Sequence, residues 1–258
     1  QFMGVPMSLV YDPLMELAGI TSVFIKQDVS LFEVFTGCES KSRFHVYAKT
    51  QYGYKYLFKC REESSWCERN CFTGNCRPYS IKVKHITAID QFNGDFAGQE
   101  TYADFYRNFK CTCFCLQRPN LKAVKSNGDY LGRINFPYTC CDPVYEVCDR
   151  SDNVRYIVTA DCCQCGLMCR SSYGMCSEVL FDIKKPGQDG KVGTIRKVFS
   201  GFVQEMITNA DNFELVFPQD ATPEDRLMLI GNVLMIDYSF FENKENNANE
   251  KGLLDLDI

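Results

Sequence analysis

The chain has 258 residues, 45% of them hydrophobic, and a net charge of −5. That is enough for one large domain or two small ones with a buried core. The acidic balance excludes a general nucleic-acid surface, and the basic clusters Lys82-Val83-Lys84 and Lys184-Lys185 read as exposed strand edges and turns.

Residues 1–11 are apolar and poorly patterned. Residues 12–19 read as a short helix capped by Asp12, with Pro13 in its first turn and Gly19 at its stop. From Thr21 the chain looks like β-structure for about 200 residues. Residues 22–26, 30–35, 44–49, 54–59 and 79–86 are runs of branched and aromatic residues, the last alternating cleanly. Asn127-Gly128 gives the strongest hairpin signal, between strands at 121–124 and 130–134, and suits a type I′ turn. Residues 144–147 and 154–158 flank an Asp152-Asn153 turn, and 179–183 and 192–199 flank a Gly-rich one. About eleven strands joined by short turns, without a long linker, favour a mainly β fold in which a closed sheet removes exposed edges.

Sixteen cysteines are far more than ordinary usage. No signal peptide is visible from Gln1 onward, and the expectation is reduced thiols on the cytosolic side, serving acylation or metal binding. In strands, the adjacent pairs Cys140-Cys141 and Cys162-Cys163 would point to opposite faces. Cys67, Cys71 and Cys76, and Cys162, Cys165 and Cys169, have spacings that zinc can use, against packed thiols as the plainer reading. Cys111, Cys113 and Cys115, with apolar and basic neighbours, suit S-acylation, with a buried strand as the competing reading. His45 and His85 are the only histidines, and no nucleophile elbow, phosphate loop or dinucleotide motif occurs, so covalent catalysis is not expected.

The last 60 residues carry the most information. A polar, acidic segment at 209–220 leads into an apolar run at 227–241. Counted as a calcium loop, the segment puts Asn209, Asp211, Phe213, Leu215, Phe217 and Asp220 at the ligand positions, although Phe213 has no side-chain oxygen to give and Glu214 stands where Gly belongs. The plainer reading is a half-buried strand with Phe213, Leu215 and Phe217 on one face. The run of 15 residues would be about 22 Å long as a helix, short of the roughly 30 Å hydrocarbon core, and it carries Asn232 and Asp237. It is either a helix buried inside the barrel or one that enters a bilayer with Asp237 facing a polar partner or an interface.

Taken together these features resemble the phospholipid scramblase family. Ser30-Leu31-Phe32-Glu33-Val34-Phe35-Thr36-Gly37, Cys67-Glu68-Arg69-Asn70-Cys71 with Arg77-Pro78, Ala210-Asp211-Asn212-Phe213 with Phe217-Pro218, and Leu229-Ile230-Gly231, Ile236-Asp237 and Phe240-Phe241-Glu242 are similar to its motifs, in order. The resemblance implies a tubby-like closed barrel of about twelve strands around a C-terminal hydrophobic helix. The implied organisation is an N-terminal segment (1–20), the barrel (21–242) holding the apolar helix (226–241), and a disordered polar tail (243–258). The implied function is calcium-responsive, ATP-independent, bidirectional movement of phospholipids between leaflets, at the plasma membrane with the barrel on the cytoplasmic side. The bilayer is the expected partner, with self-association possible in principle and nucleic acid not expected; the alternative is an acyl-anchored lipid- or protein-binding adaptor without transport. Calcium is the implied cofactor on the 209–220 set, and zinc the lesser one. Cys111, Cys113 and Cys115 are the implied acylation sites, and Leu227, Ile230, Gly231, Leu234, Ile236 and Asp237 mark the apolar helix, with a transmembrane helix and a helix filling the barrel as its two readings. Asn209 stands where the family usually has Asp, which removes one charge from the implied calcium segment.

Overall fold

In a computed structural model, the structure describes residues 12–28, 41–72, 74–87, 90, 100–111, 117–168, 178–198 and 212–241. Twelve strands follow one another round a closed barrel: β1 (Ser22–Asp28), β2 (Arg43–Thr50), β3 (Gly53–Glu63), β4 (Tyr79–His85), β5 (Thr101–Arg107), β6 (Asn120–Lys125), β7 (Tyr130–Asn135), β8 (Val144–Cys148), β9 (Val154–Thr159), β10 (Glu178–Lys184), β11 (Lys191–Val198) and β12 (Asn212–Val216). Every pairing is antiparallel, and β1 pairs with β12 to shut the sheet, with Ser22 opposite Val216 and Lys26 opposite Asn212. The expected closed β-architecture is therefore present. The expected strand at 30–35 lies outside the described residues.

Period-two patterning decides which side chains face in. On β2, Phe44, Val46 and Ala48 are buried, with His45 and Tyr47 on the other face; on β4, Tyr79, Ile81 and Val83 are buried and Lys82 and Lys84 are not. β5 was not among the sequence-expected strands. Its inward residues are Ala103, Phe105 and Arg107, and a charged side chain in the apolar phase hides the alternation.

The Asn127-Gly128 hairpin differs from the type I′ expectation. That turn needs positive φ at both central residues, yet only Gly128 has it, at φ 92. Gly128 N–H donates to Lys125 O and Lys125 N–H to Asp129 O, giving a three-residue loop closed by a left-handed Gly128. The β8–β9 turn repeats this pattern with Asp152, at φ 63, in the glycine's place.

Short helical pieces lie at 13–17, α1 (Trp66–Cys71) and α2 (Cys165–Met168). The long helix is α3 (Pro223–Phe240), and it fills the barrel. Thr222 caps it: its hydroxyl accepts from Asp225 N–H, and the Asp225 carboxylate accepts from Thr222 N–H, both at 3.1 Å. Pro223 at the first position and acidic Glu224 and Asp225 in the first turn complete a strong start. α3 thus begins three residues before the expected start at 226, because the capping signal at Thr222 precedes the apolar run. Residues 225–238 are all buried, which is the pattern of a helix enclosed on every side. Gly231 makes the fit possible: a Cβ there would lie 2.5 Å from Cε1 of Phe105 on β5.

Candidate functional site

In a meander, alternate connections collect at opposite ends of the barrel, and α3 runs from one end to the other. At its C-terminal end the interior is charged. Glu62 on β3 is fully buried and accepts from Arg77 at 2.5 Å, Ser64 at 2.5 Å, the Ser42 N–H at 3.1 Å and the Tyr238 hydroxyl of α3 at 3.0 Å. Tyr79 stacks on Tyr238 with ring centroids 4.2 Å apart, and Arg107 lies 5.1 Å over Tyr79. Beside this network, Lys197 of β11 pairs with Asp237 of α3 at 3.2 Å, with side-chain exposures of 0% and 2%. The Lys197 ammonium also lies 3.7 Å from the Phe241 ring centroid and 4.7 Å from that of Phe213. Asp237 therefore has a cationic partner within the fold.

At the N-terminal end of α3 the charged groups reach solvent, except the buried Asp225 and Arg226. Lys185 pairs with Asp220 at 2.6 Å, Arg155 with Asp225 at 3.3 Å, and Arg150 with Glu224 at 3.4 Å. The hydrogen bond from Lys185 holds the Asp220 carboxyl below the usual carboxylate range, so it is an ionised oxygen donor at neutral pH. Arg226 donates to the carbonyl of Leu17, tying the 13–17 turn to the plug. Two shallow clefts open here, of ≈ 260 Å³ beside Asp149, Thr222 and Asp225 and ≈ 200 Å³ beside Tyr156, Lys185 and Asp220, sharing Arg155.

Of the expected calcium ligands, Asn209 and Asp211 lie outside the described residues. Phe213 and Leu215 are inward residues of β12, fully buried, and β12 is hydrogen-bonded to β1 on one side and β11 on the other. Phe217 is buried and its N–H donates to Thr21 O, while Asp220 sits in the exposed turn before α3. Residues 212–216 are therefore the strand that the plainer reading anticipated, and they do not wrap as a loop around an ion. Of the acylation set, Cys111 is exposed, and Cys113 and Cys115 lie outside the described residues. Leu227, Ile230, Gly231, Leu234, Ile236 and Asp237 are all buried inside the barrel. Among the described residues no helix is long and apolar enough to cross a membrane, which corrects the transmembrane expectation: the sheet supplies the apolar surroundings that a bilayer would.

The cysteines depart from expectation in three ways. Ten described thiols are free, but Cys165 is disulfide-bonded, so the reduced expectation fails there and the Cys162, Cys165, Cys169 zinc grouping loses its middle ligand. Cys67 and Cys71 stand one helical turn apart on α1 with Sγ atoms 3.3 Å apart, but Cys76 does not complete a three-ligand cluster. Cys162 and Cys163 lie in a turn, not a strand, so their Sγ atoms converge to 3.9 Å instead of pointing apart. The histidines are engaged, His45 with Asp28 at 2.8 Å and Tyr56 at 2.5 Å, and His85 with Glu16 at 3.0 Å.

Sequence reasoning missed Lys197, Glu62 and Arg107, and named Arg77 only as part of a motif. The available signal was phase. Lys197 follows Gly193 and Ile195 at spacing two, and Arg107 follows Ala103 and Phe105, so each falls on an inward position.

A family model described as Scramblase matches residues 3–243. The chain is 28% identical over 240 residues to phospholipid scramblase 1 of Mus musculus, covering 92% of this chain and 66% of that protein. Similarity to phospholipid scramblase 1 of Homo sapiens is 28% over 240 residues, covering 92% and 68%. It is 24% identical over 231 residues to phospholipid scramblase family member 5 of Homo sapiens, covering 88% and 76%. The chain thus spans slightly less than two thirds of the mouse protein. No solved structure matches it.

Proposed function

The chain belongs to the scramblase family, and from that membership we propose that it moves phospholipids between bilayer leaflets, in both directions, without ATP and in response to calcium. The observation that carries this reading is the match to the family over residues 3–243, nearly the whole chain. Acyl chains on Cys111, Cys113 and Cys115 hold the barrel at the cytoplasmic face of the plasma membrane. Calcium acts through the carboxylates of Asp211 and Asp220, which flank β12, and at Asp220 it displaces Lys185.

The geometry around β12 supports a route from that ion to the plug. Phe213 at one end of the strand packs on Lys197, which holds Asp237; Asp220 lies beyond the other end, two residues before the Thr222 cap. A change in β12 is therefore felt at both ends of α3. In this reading calcium loosens the strand and its hold on Asp237, and brings the apolar helix or the barrel surface against lipid.

The test is movement of a fluorescent phospholipid in proteoliposomes, with calcium or a chelator. Calcium-stimulated scrambling that is lost in Asp211→Ala/Asp220→Ala supports the reading. Folded, membrane-bound protein that moves no more lipid than protein-free vesicles sinks it. A second reading, an acyl-anchored adaptor without transport, is favoured by the enclosure of α3 on every side. Hydroxylamine-sensitive membrane attachment without scrambling would select it.

A further inference from the structure

We propose that the turn following β9 is a zinc site, with Asp161, Cys162 and Cys163 as its protein ligands. Among the described residues, Asp161, Cys162 and Cys163 alone bring three metal-ligating side chains together, their donor atoms all within 4.8 Å of one another. Tetrahedral zinc with Zn–S bonds of about 2.3 Å requires two thiolate sulfurs about 3.8 Å apart. The Sγ atoms of Cys162 and Cys163 are 3.9 Å apart. They are thus already at bonding separation for one ion, and too far apart for a bond to each other.

The turn is tied to a second connection. Asp142, before β8, accepts the Cys162 N–H at 3.0 Å, and its carboxylate also meets the Cys162 thiol. Asp161 accepts the Cys163 N–H at 2.7 Å. Two thiols and one carboxylate make a three-ligand set suited to a divalent ion of borderline softness, with the fourth position left to water. Each thiol gives up its proton to solvent as its sulfur binds the ion.

The turn is also held in place before any ion arrives. The Gln164 side chain donates to Leu180 O at 2.8 Å and accepts from Leu180 N–H at 2.7 Å. It thereby occupies the part of β10 that β9 leaves unpaired, since β9 reaches only Asp182, Ile183 and Lys184. A ligand turn clamped to a barrel strand is preorganised. Asp161 and Cys163 are exposed, so the ion has a path in.

The experiment uses the full chain, loaded with zinc under mild reduction, dialysed and assayed for bound metal by mass spectrometry. Cadmium titration, read by its thiolate charge-transfer absorption, gives a second signal independent of lipid activity. One equivalent of zinc is expected in the wild type and in a Cys67→Ser/Cys71→Ser control, with loss of that equivalent in Cys162→Ser/Cys163→Ser. Asp161→Asn keeps both thiols and should weaken binding at least tenfold. Equal zinc content in the wild type and Cys162→Ser/Cys163→Ser, or affinity unchanged in the carboxamide variant, overturns the proposal. Circular dichroism of each variant separates loss of the site from loss of the fold.

Discussion

Replacing Lys197 with methionine removes the cation that faces Asp237 while keeping most of the buried side-chain volume. Lys197 and Asp237 are 0% and 2% exposed and 3.2 Å apart, so water cannot take the lysine's place without the plug moving. Breaking one partner of a buried pair costs about 3–5 kcal/mol, mostly because the remaining charge is stranded. At about 2–4 °C per kcal/mol for a domain of this size, the melting temperature should fall by about 6–20 °C. Replacing both partners, Lys197→Met/Asp237→Leu, should recover most of the loss, since buried pairs exchanged for apolar residues are neutral or stabilising by about 1–4 kcal/mol. Urea unfolding of wild type, both single variants and the double variant gives the coupling energy directly. A coupling below about 1 kcal/mol would refute the reasoning, because it would mean that the pair is solvated and that α3 is not sealed at this end.

Four further outcomes follow from the same interior. Gly231→Ala should cost about 1–3 kcal/mol by overpacking against Phe105, and Phe105→Leu should relieve part of it in a thermal melt. Thr222→Ala should cost about 1 kcal/mol by removing the cap of α3, measured by denaturant unfolding. Both polar side-chain atoms of the fully buried Asn232 lack a hydrogen-bond partner among the described residues, so Asn232→Leu should raise stability by about 1–3 kcal/mol in the same assay. Asp220 should titrate below the usual 3.8, as followed by carboxyl NMR, and move up towards it in Lys185→Met. Because its folded value is the lower one, its stabilising contribution is complete above the unfolded value and disappears as pH falls through the folded one.

The barrel was legible where one face of a strand is apolar and the other polar, as in β2, β4 and β10. It was illegible at β5, where Arg107 occupies an inward position and is accommodated by the Tyr79 ring. The enclosed helix was visible from its shortness and from Asn232 and Asp237, but its start was not, because Thr222 and Asp225 act through backbone capping and not through hydropathy. The paired thiols at Cys162 and Cys163 could not be read from adjacency, since that argument assumes strand geometry and the pair lies in a turn. Lys197 was recoverable from phase alone; its partner Asp237 was seen, but a partner 40 positions earlier in the chain announces itself only once β11 and α3 are placed.

The order of the elements has a consequence for biosynthesis. The sheet is shut by its first and last strands, and the helix that fills it emerges after the last. A nascent chain, growing at about 5–20 residues per second, therefore holds an unclosed sheet with an unfilled lumen until nearly all of these elements have been made. Such long-range pairing folds slowly and exposes apolar strands in the meantime. The plug must enter before or as β1 meets β12, so chaperone retention should be governed by residues 212–240: a nascent chain stalled before Thr222 leaves the ribosome unable to complete its own core.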